Sequence, residues 1–317
     1  MDLGSQLATS RVVIVAGKGG VGKTTITAAL AVAAAREGAN VLIAEVEGKS
    51  GLAEAFGKPP LDYHEAELAP RIRARTITPD DALVEYLQDH GLGRFARRLA
   101  KTGALDVVAT AVPGIRDILV LGKIKQLERS NTADLIIVDA PAAGHAITFL
   151  TSAAGLLNAA RVGPIRQQAQ EVVDMLADDE RVSVVLVTLP EATPITECVE
   201  TAYALEDRVG VALGPVIVNS CTPDARLLAG KWPVADAATT EQLLVEGTRA
   251  EVELDGAAAL AEACTFHAGR VTRETAELAR LNRLLPLAQL HLPKLAGPIG
   301  LEELTVLADR LTYERAT

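Results

Sequence analysis

The residues best suited to chemistry stand together near the start of the chain, in Gly17-Lys18-Gly19-Gly20-Val21-Gly22-Lys23-Thr24-Thr25. The run satisfies G-x-x-x-x-G-K-[ST], follows the apolar stretch Val12–Ala16 and opens the helically spaced segment Thr25–Glu37. Strand, glycine loop and helix in that order make an anion cradle. Glycines let backbone N–H groups converge on phosphate oxygens, and the helix N-terminus adds positive potential. Gly19, Gly20, Val21, Gly22 and Thr25 are expected along the phosphates, and Lys23 against the β- and γ-phosphates. The Thr24 hydroxyl is expected in the shell of a Mg²⁺ ion. A chance Gly-rich turn is the plainer alternative, and the agreement of sequence with context argues against it. A second candidate is Leu135-Ile136-Ile137-Val138-Asp139, an apolar strand ending in a carboxylate. Asp139 there would hold Mg²⁺ through water, although a strand-end Asp can also cap a turn. ATP or ADP with Mg²⁺ is the expected ligand.

Lys18 makes the loop a K-G-G-x-G-K-[ST] variant. With it the chain resembles the deviant Walker A ATPases, which include ParA, MinD, the nitrogenase iron protein and the ArsA/GET ATPases. The resemblance implies that Lys18 crosses a dimer interface to the partner's phosphates; the bland alternative is a loop cation serving its own nucleotide. The segment Val41-Leu42-Ile43-Ala44-Glu45-Val46-Glu47-Gly48 and its continuation to Gly57 resembles the ArsA/GET pattern V-L-L-x-S-T-D-P-A-H-S-L-x-D-A-F-G. Leu52, Ala55, Phe56 and Gly57 match, and Glu54 is a conservative replacement. The family's water-orienting Asp falls on Glu47 and its Pro on Gly48. A carboxylate at Glu47 would hold the attacking water in line with the γ-phosphorus. Glutamate is one methylene longer, so slow hydrolysis is expected; a solvated strand-end acid is the alternative.

Further along, Asp139 to Leu150 resembles D-T-A-P-T-G-H-T-L-R-F-L, matching at Asp139, Gly144, His145, Phe149 and Leu150. That implies a switch sensing the γ-phosphate, with His145 either part of it or a turn-packing residue. Pro113-Gly114-Ile115 resembles the start of P-G-I-D-E, with Arg116 and Asp117 replacing the acidic pair. Pro190-Glu191 followed by Glu197 resembles the family's P-E…E stretch. Val216–Asn219 is similar to the V-V-N strand whose Asn reads adenine, a task an amide fits because it both donates and accepts. A turn role for Asn219 is the alternative. Leu290-His291-Leu292-Pro293 and Gly300-Leu301 loosely resemble the strand and loop closing over the base, which puts Pro293 there. The resemblance runs from Arg11 to about Leu311, strong in the nucleotide motifs and weak in the helical insertions.

These residues need a scaffold, and the apolar runs supply it. Val12–Ala16, Val41–Ala44, Leu135–Val138, Val182–Leu186 and Val216–Val218 are rich in Val and Ile without alternation, as in strands covered on both faces. Helically spaced segments such as Thr25–Glu37 and Cys198–Asp207 separate them. The pattern predicts an α/β fold, a doubly wound and mostly parallel sheet. Between Gly57 and Thr132 no strand is expected, only helices such as Asp80–Asp89 and Ile115–Glu128; Val252–Arg283 is another. One domain over 1–317 is expected, with a tail at 1–10 and helical insertions at about 58–132 and 224–284 layered over one edge of the sheet.

Composition narrows the classes. The 317 residues carry 31 basic and 41 acidic side chains, a net charge of −10, which disfavours wide contact with nucleic-acid phosphates. Aromatics at 3% disfavour base-stacking platforms. Cys198, Cys221 and Cys264 are scattered and form no C-x-x-C, suiting reduced thiols in a cytoplasmic protein. No secretory leader or membrane span is expected. Among the resembled ATPases, no cysteines follow the switch as in the iron protein, and the tail from Leu301 is too acidic for MinD-like lipid binding. The ArsA/GET branch remains, closest to its short bacterial members. It implies a Mg²⁺-dependent ATPase that closes as a dimer with itself or a paralogous subunit and couples closure to a client protein, for which a membrane-related one is a candidate. A nucleotide-locked regulatory subunit is the alternative, and an arsenite or antimonite efflux subunit a weaker one.

Overall fold

The computed structural model describes residues 10–46, 51–89, 91, 114–159, 163–222 and 254–313. Among them runs a sheet of eight strands: β1 (Val12–Gly17), β2 (Val41–Glu45), β3 (Ala66–Ala69), β4 (Ile72–Thr76), β5 (Leu135–Ala142), β6 (Val182–Thr188), β7 (Ala212–Cys221) and β8 (Gln289–Pro293). The spatial order is β3-β4-β2-β5-β1-β6-β7-β8, parallel throughout except for β3 against β4. Every apolar run read as a strand is one. From β1 the chain steps outward past β5 to β2, and later returns to place β6 on the other flank of β1. The order therefore reverses at β1, the place where open α/β sheets leave a crevice beyond their carboxyl ends.

Side-chain alternation along the strands divides the interior into two cores. Val12, Ile14 and Ala16 face α4 (Ile115–Arg129), α5 (Ala143–Ala159), α6 (Pro164–Leu176) and α7 (Ala192–Val209). Val13 and Val15 face α1 (Lys23–Arg36), the short α2 (Leu52–Ala55) and α9 (Leu301–Tyr313). Helix α1 is buried from Ile26 through Ala34, and its run of alanines lets α9 lie closely on it. The remaining helices are α3 (Pro79–Asp89) and α8 (Leu254–Leu284).

Two expectations need correction. Residues 58–132 contain β3 and β4, where only helices were anticipated. The strand Ile-Arg-Ala-Arg-Thr lacks a Val/Ile run because its arginines find local partners. Arg73 donates to Glu65 and to the Thr132 carbonyl, and the Arg75 guanidinium lies 4.3 Å from the centre of the Tyr63 ring. The helical layer also covers a face of the sheet, not an edge: Ala82 of α3 and Ile118, Leu121 and Ile124 of α4 share one core with β1 and β5. The edge is taken by the β3–β4 hairpin. Of the second insertion, residues 223–253 lie outside the described residues.

Candidate functional site

The glycine loop leaves β1 where that strand meets β6. A Cβ on Gly17 would stand 2.3 Å from the Val187 carbonyl oxygen, so only glycine lets the two backbones approach there. Gly20 and Gly22 hold φ of 85° and 92°, the left-handed turn that folds the loop back on itself. Gly22 is also the N-cap of α1, and no side chain caps the helix. The first-turn N–H groups are thus left without a side-chain acceptor, and no acidic residue stands in that turn. This is the electrostatic arrangement an anion requires. Gly19 lies beside Ala142 at the end of β5, and Val21 is buried.

Lys23 folds back over the loop, donating to the Lys18 carbonyl at 3.2 Å. The Thr24 hydroxyl donates to Asp139 Oδ2 at 2.6 Å, across 115 residues of sequence. Asp139 is buried within β5, opposite Glu45 at the end of β2 and Val15 of β1. Hydroxyl and carboxylate are hard oxygen donors beside a phosphate cradle. A pair this small suits Mg²⁺, which keeps most of its waters and takes one or two protein ligands. Among the described residues no group of three or more His, Cys, Asp or Glu could hold a metal alone. The donor set fits Mg²⁺ arriving with phosphates better than a resident ion.

Asn219, expected at the base, is tied to the loop itself. Its Nδ2 donates to the Val21 carbonyl at 2.9 Å, and its Oδ1 accepts the Ser220 N–H at 2.9 Å. One N–H and one lone pair remain beyond those bonds. Asn219 lines a cleft of about 370 Å³ with Gly20, Gly22, Thr25 and Pro293, which brings β7, β8 and the loop to one site. Arg270 of α8 lines it too; its Nε donates to Glu274 at 2.7 Å, and Glu274 accepts the Thr222 N–H and hydroxyl. Burial works to raise the Glu274 pKa, but these hydrogen bonds hold it below the usual range.

Lys18 does not point at its own loop. Its Nζ stands 2.5 Å from Glu197 Oε1 on α7, with both side chains about one-third exposed. His145 is exposed, near Asp117 of α4; burial raises the Asp117 pKa and the His145 charge opposes that rise. Glu47, Gly48 and Pro113 lie outside the described residues. Two groups escaped the sequence reading. Glu45, buried and bonded by the Thr76 hydroxyl at 2.7 Å, ends β2 directly opposite Asp139 of β5, a parallel visible in Val-Leu-Ile-Ala-Glu beside Leu-Ile-Ile-Val-Asp. Arg270 had no motif to mark it. Burial pushes the Cys198 thiol up to about 12, which makes it a poor metalloid ligand.

Comparison with known proteins agrees with this geometry. The sequence matches the family profile described as anion-transporting ATPase over residues 10–161. It is 34% identical to the ATPase BagA of Mycobacterium tuberculosis, across 98% of this chain and 95% of that protein. It is 28% identical to an arsenical pump-driving ATPase of Escherichia coli, across 66% of this chain and 34% of that one. It is also 27% identical to the ATPase get3 of Schizosaccharomyces pombe, across 53% of each. No helix among the described residues is long and apolar enough to cross a membrane.

Proposed function

The chain belongs to the ArsA/GET-type anion-transporting ATPase family, and from that premise we propose that it is a Mg²⁺-dependent ATPase working as a nucleotide-gated dimeric switch. The observation that carries this reading is the 2.6 Å bond between Thr24 and Asp139 at the mouth of an uncapped glycine loop. It brings the two oxygen donors for a metal to the place where the loop gathers its N–H groups. Thr24 and Asp139 would hold Mg²⁺, which when bound would supply charge neutralisation at the phosphates.

The chain's own residues do the remaining work. The N–H groups from Gly19 to Thr25 orient the phosphates, and Lys23 neutralises charge as it develops on the leaving side. Asn219 and Pro293 enclose the base, the amide using its remaining donor and acceptor. Glu47 positions the attacking water. Lys18 leaves Glu197 and crosses to the partner's nucleotide. A partly exposed ion pair of this kind is worth about 0.2–1 kcal/mol, so the contact holds Lys18 in place without locking it. The switch helix α5, starting directly after the Asp139 strand, carries the change to α4 and α6, where a client or partner protein would respond.

Light scattering with ATP and Mg²⁺ tests the dimer. Wild type is expected at dimer mass and Lys18→Ala at monomer mass. Glu197→Gln is expected to dimerise at least as tightly, by up to about fivefold for a released pair of this strength. Wild-type monomer in saturating ATP, or a Lys18→Ala dimer as tight as wild type, would refute the self-paired switch and turn attention to a paralogous partner.

A further inference from the structure

Within the helical layer, away from the glycine loop, α3, α4 and α6 enclose a cavity of about 320 Å³. Seams between helices are ordinarily filled by apolar side chains, because an unpaired buried polar group is costly. Beside the largely apolar Ala82, Tyr86 and Leu119, this seam is lined by Lys123, Lys125 and Arg129 of α4 and by Gln167, Gln168 and Glu171 of α6. The Lys123 and Lys125 side chains are each 7% exposed. Lys123 donates to Glu85 of α3 at 2.6 Å and to Gln126 at 3.0 Å. Lys125 donates to Glu171 at 2.7 Å and to Gln168 at 2.9 Å. Each ammonium has three N–H donors, so one remains on each beyond these bonds. Arg129 places a single nitrogen on Glu171, at 2.9 Å, and the rest of its donor fork remains.

The cavity looks built. Gly122, in the middle of α4, would put a Cβ 2.0 Å from Gln168 Nε2. The helix gives up a side chain there, at a cost to its own stability, and Gln168 sits in the vacated space with its oxygen on Lys125. Glu85 is fixed from behind by the Tyr63 hydroxyl, whose ring carries Arg75. Both carboxylates are ionised at neutral pH. The Lys125 hydrogen bond draws Glu171 down to about 2, and bonds from Lys123 and Tyr63 outweigh the upward push of burial at Glu85. The lining therefore carries three cations and the one carboxylate of Glu171, with Glu85 held on Lys123 beside it, and the cavity keeps a surplus positive charge with donors to spare.

We propose that this cavity binds a small organic anion, a carboxylate or a phosphate ester, which accepts hydrogen bonds from Lys123, Lys125 and Arg129. The site stands apart from the nucleotide reading, but its position ties it to the switch. Both α4 and α6 pack on α5, and Gly114 at the start of α4 approaches Ser152 of α5 so closely that a Cβ would lie 3.3 Å from the serine Cβ. An anion that draws α4 and α6 together shifts the helix that follows Asp139.

Titration calorimetry of the full chain tests this, using succinate, methyl phosphate and, as an uncharged control, N-methylacetamide, each with ADP and Mg²⁺ present. Saturable binding of succinate or methyl phosphate is expected, the responding probe identifying the class, with none for the control. Arg129→Gln is expected to weaken binding by roughly tenfold or more, the loss of a charge-assisted donor. Its side chain is 54% exposed, so the variant is expected to fold, and its circular dichroism melt verifies that. Lys23→Ala, which disables the glycine loop, is expected still to bind the same probe. Silence from both anions, an equal response to the control, unchanged affinity in Arg129→Gln, or binding lost in Lys23→Ala would each overturn the proposal.

Discussion

Gly22 and Gly20 share a positive φ and have very different surroundings, so alanine at the two positions separates strain from collision. A Cβ in the left-handed region costs about 1–2 kcal/mol at either place. At Gly20, φ is 85° and a Cβ meets nothing within 4 Å, so that cost is the whole cost. At Gly22, φ is 92° and a Cβ falls 2.3 Å from Asn219 Nδ2, so the amide must leave. It then gives up its bonds to the Val21 carbonyl and the Ser220 N–H. At about 1 kcal/mol for each bond, Gly22→Ala is expected to destabilise the fold by about 3–4 kcal/mol and Gly20→Ala by about 1–2. Asn219→Ala alone removes the same bonds, about 2 kcal/mol. In the Gly22→Ala background it also removes the collision, so the double variant is expected to be no less stable than Gly22→Ala, an interaction of about 2 kcal/mol. Urea unfolding followed by circular dichroism, without nucleotide, measures all four at unchanged slope. Equal losses at the two glycines, or additive losses for Gly22→Ala and Asn219→Ala, would refute the coupling between the loop and Asn219.

Thr24→Val removes one of the two proposed metal donors while keeping the side chain's shape. ATP binding measured by fluorescent-nucleotide titration is expected to lose its enhancement by Mg²⁺ while affinity in chelator holds; retained Mg²⁺ enhancement would count against the assigned shell. Glu171 brings a pH dependence. Its folded pKa of about 2 lies below the ordinary 4.5, so its ionised form stabilises the fold above pH 4.5, and that contribution is lost as pH falls from 4.5 to 2. Thermal melts of Glu171→Gln are expected to show lower stability at neutral pH and a flatter decline across that window. A profile parallel to wild type would contradict the assignment.

What the sequence made legible follows from how locally each feature is encoded. Val12–Ala16 and Leu135–Val138 announce themselves as strands because burial on both faces demands continuous apolar residues, and the glycine loop between β1 and α1 is specified by neighbours alone. The β3–β4 hairpin was invisible because Arg73 bonds to Glu65 and Thr132 and Arg75 lies over the Tyr63 ring, contacts no periodicity reports. Glu45 escaped because its importance lies in register, beside Asp139 on the adjacent strand. Lys18 and Glu197 are 179 residues apart, and Asn219 and Val21 are 198 apart. A residue's type can suggest such a role, but only the closed sheet selects the partner. Arg270 came to the cleft from a long helix whose sequence shows only amphipathic spacing.

The central claim is that the glycine loop, Thr24 and Asp139 together support ATP hydrolysis. Steady-state phosphate release from ATP, with Mg²⁺ and with chelator, for wild type beside Lys23→Ala and Asp139→Asn, tests it most directly. The account predicts release by wild type that requires Mg²⁺ and is abolished in both variants. Wild-type release no faster than that of Lys23→Ala, with ATP shown to be bound, would contradict it.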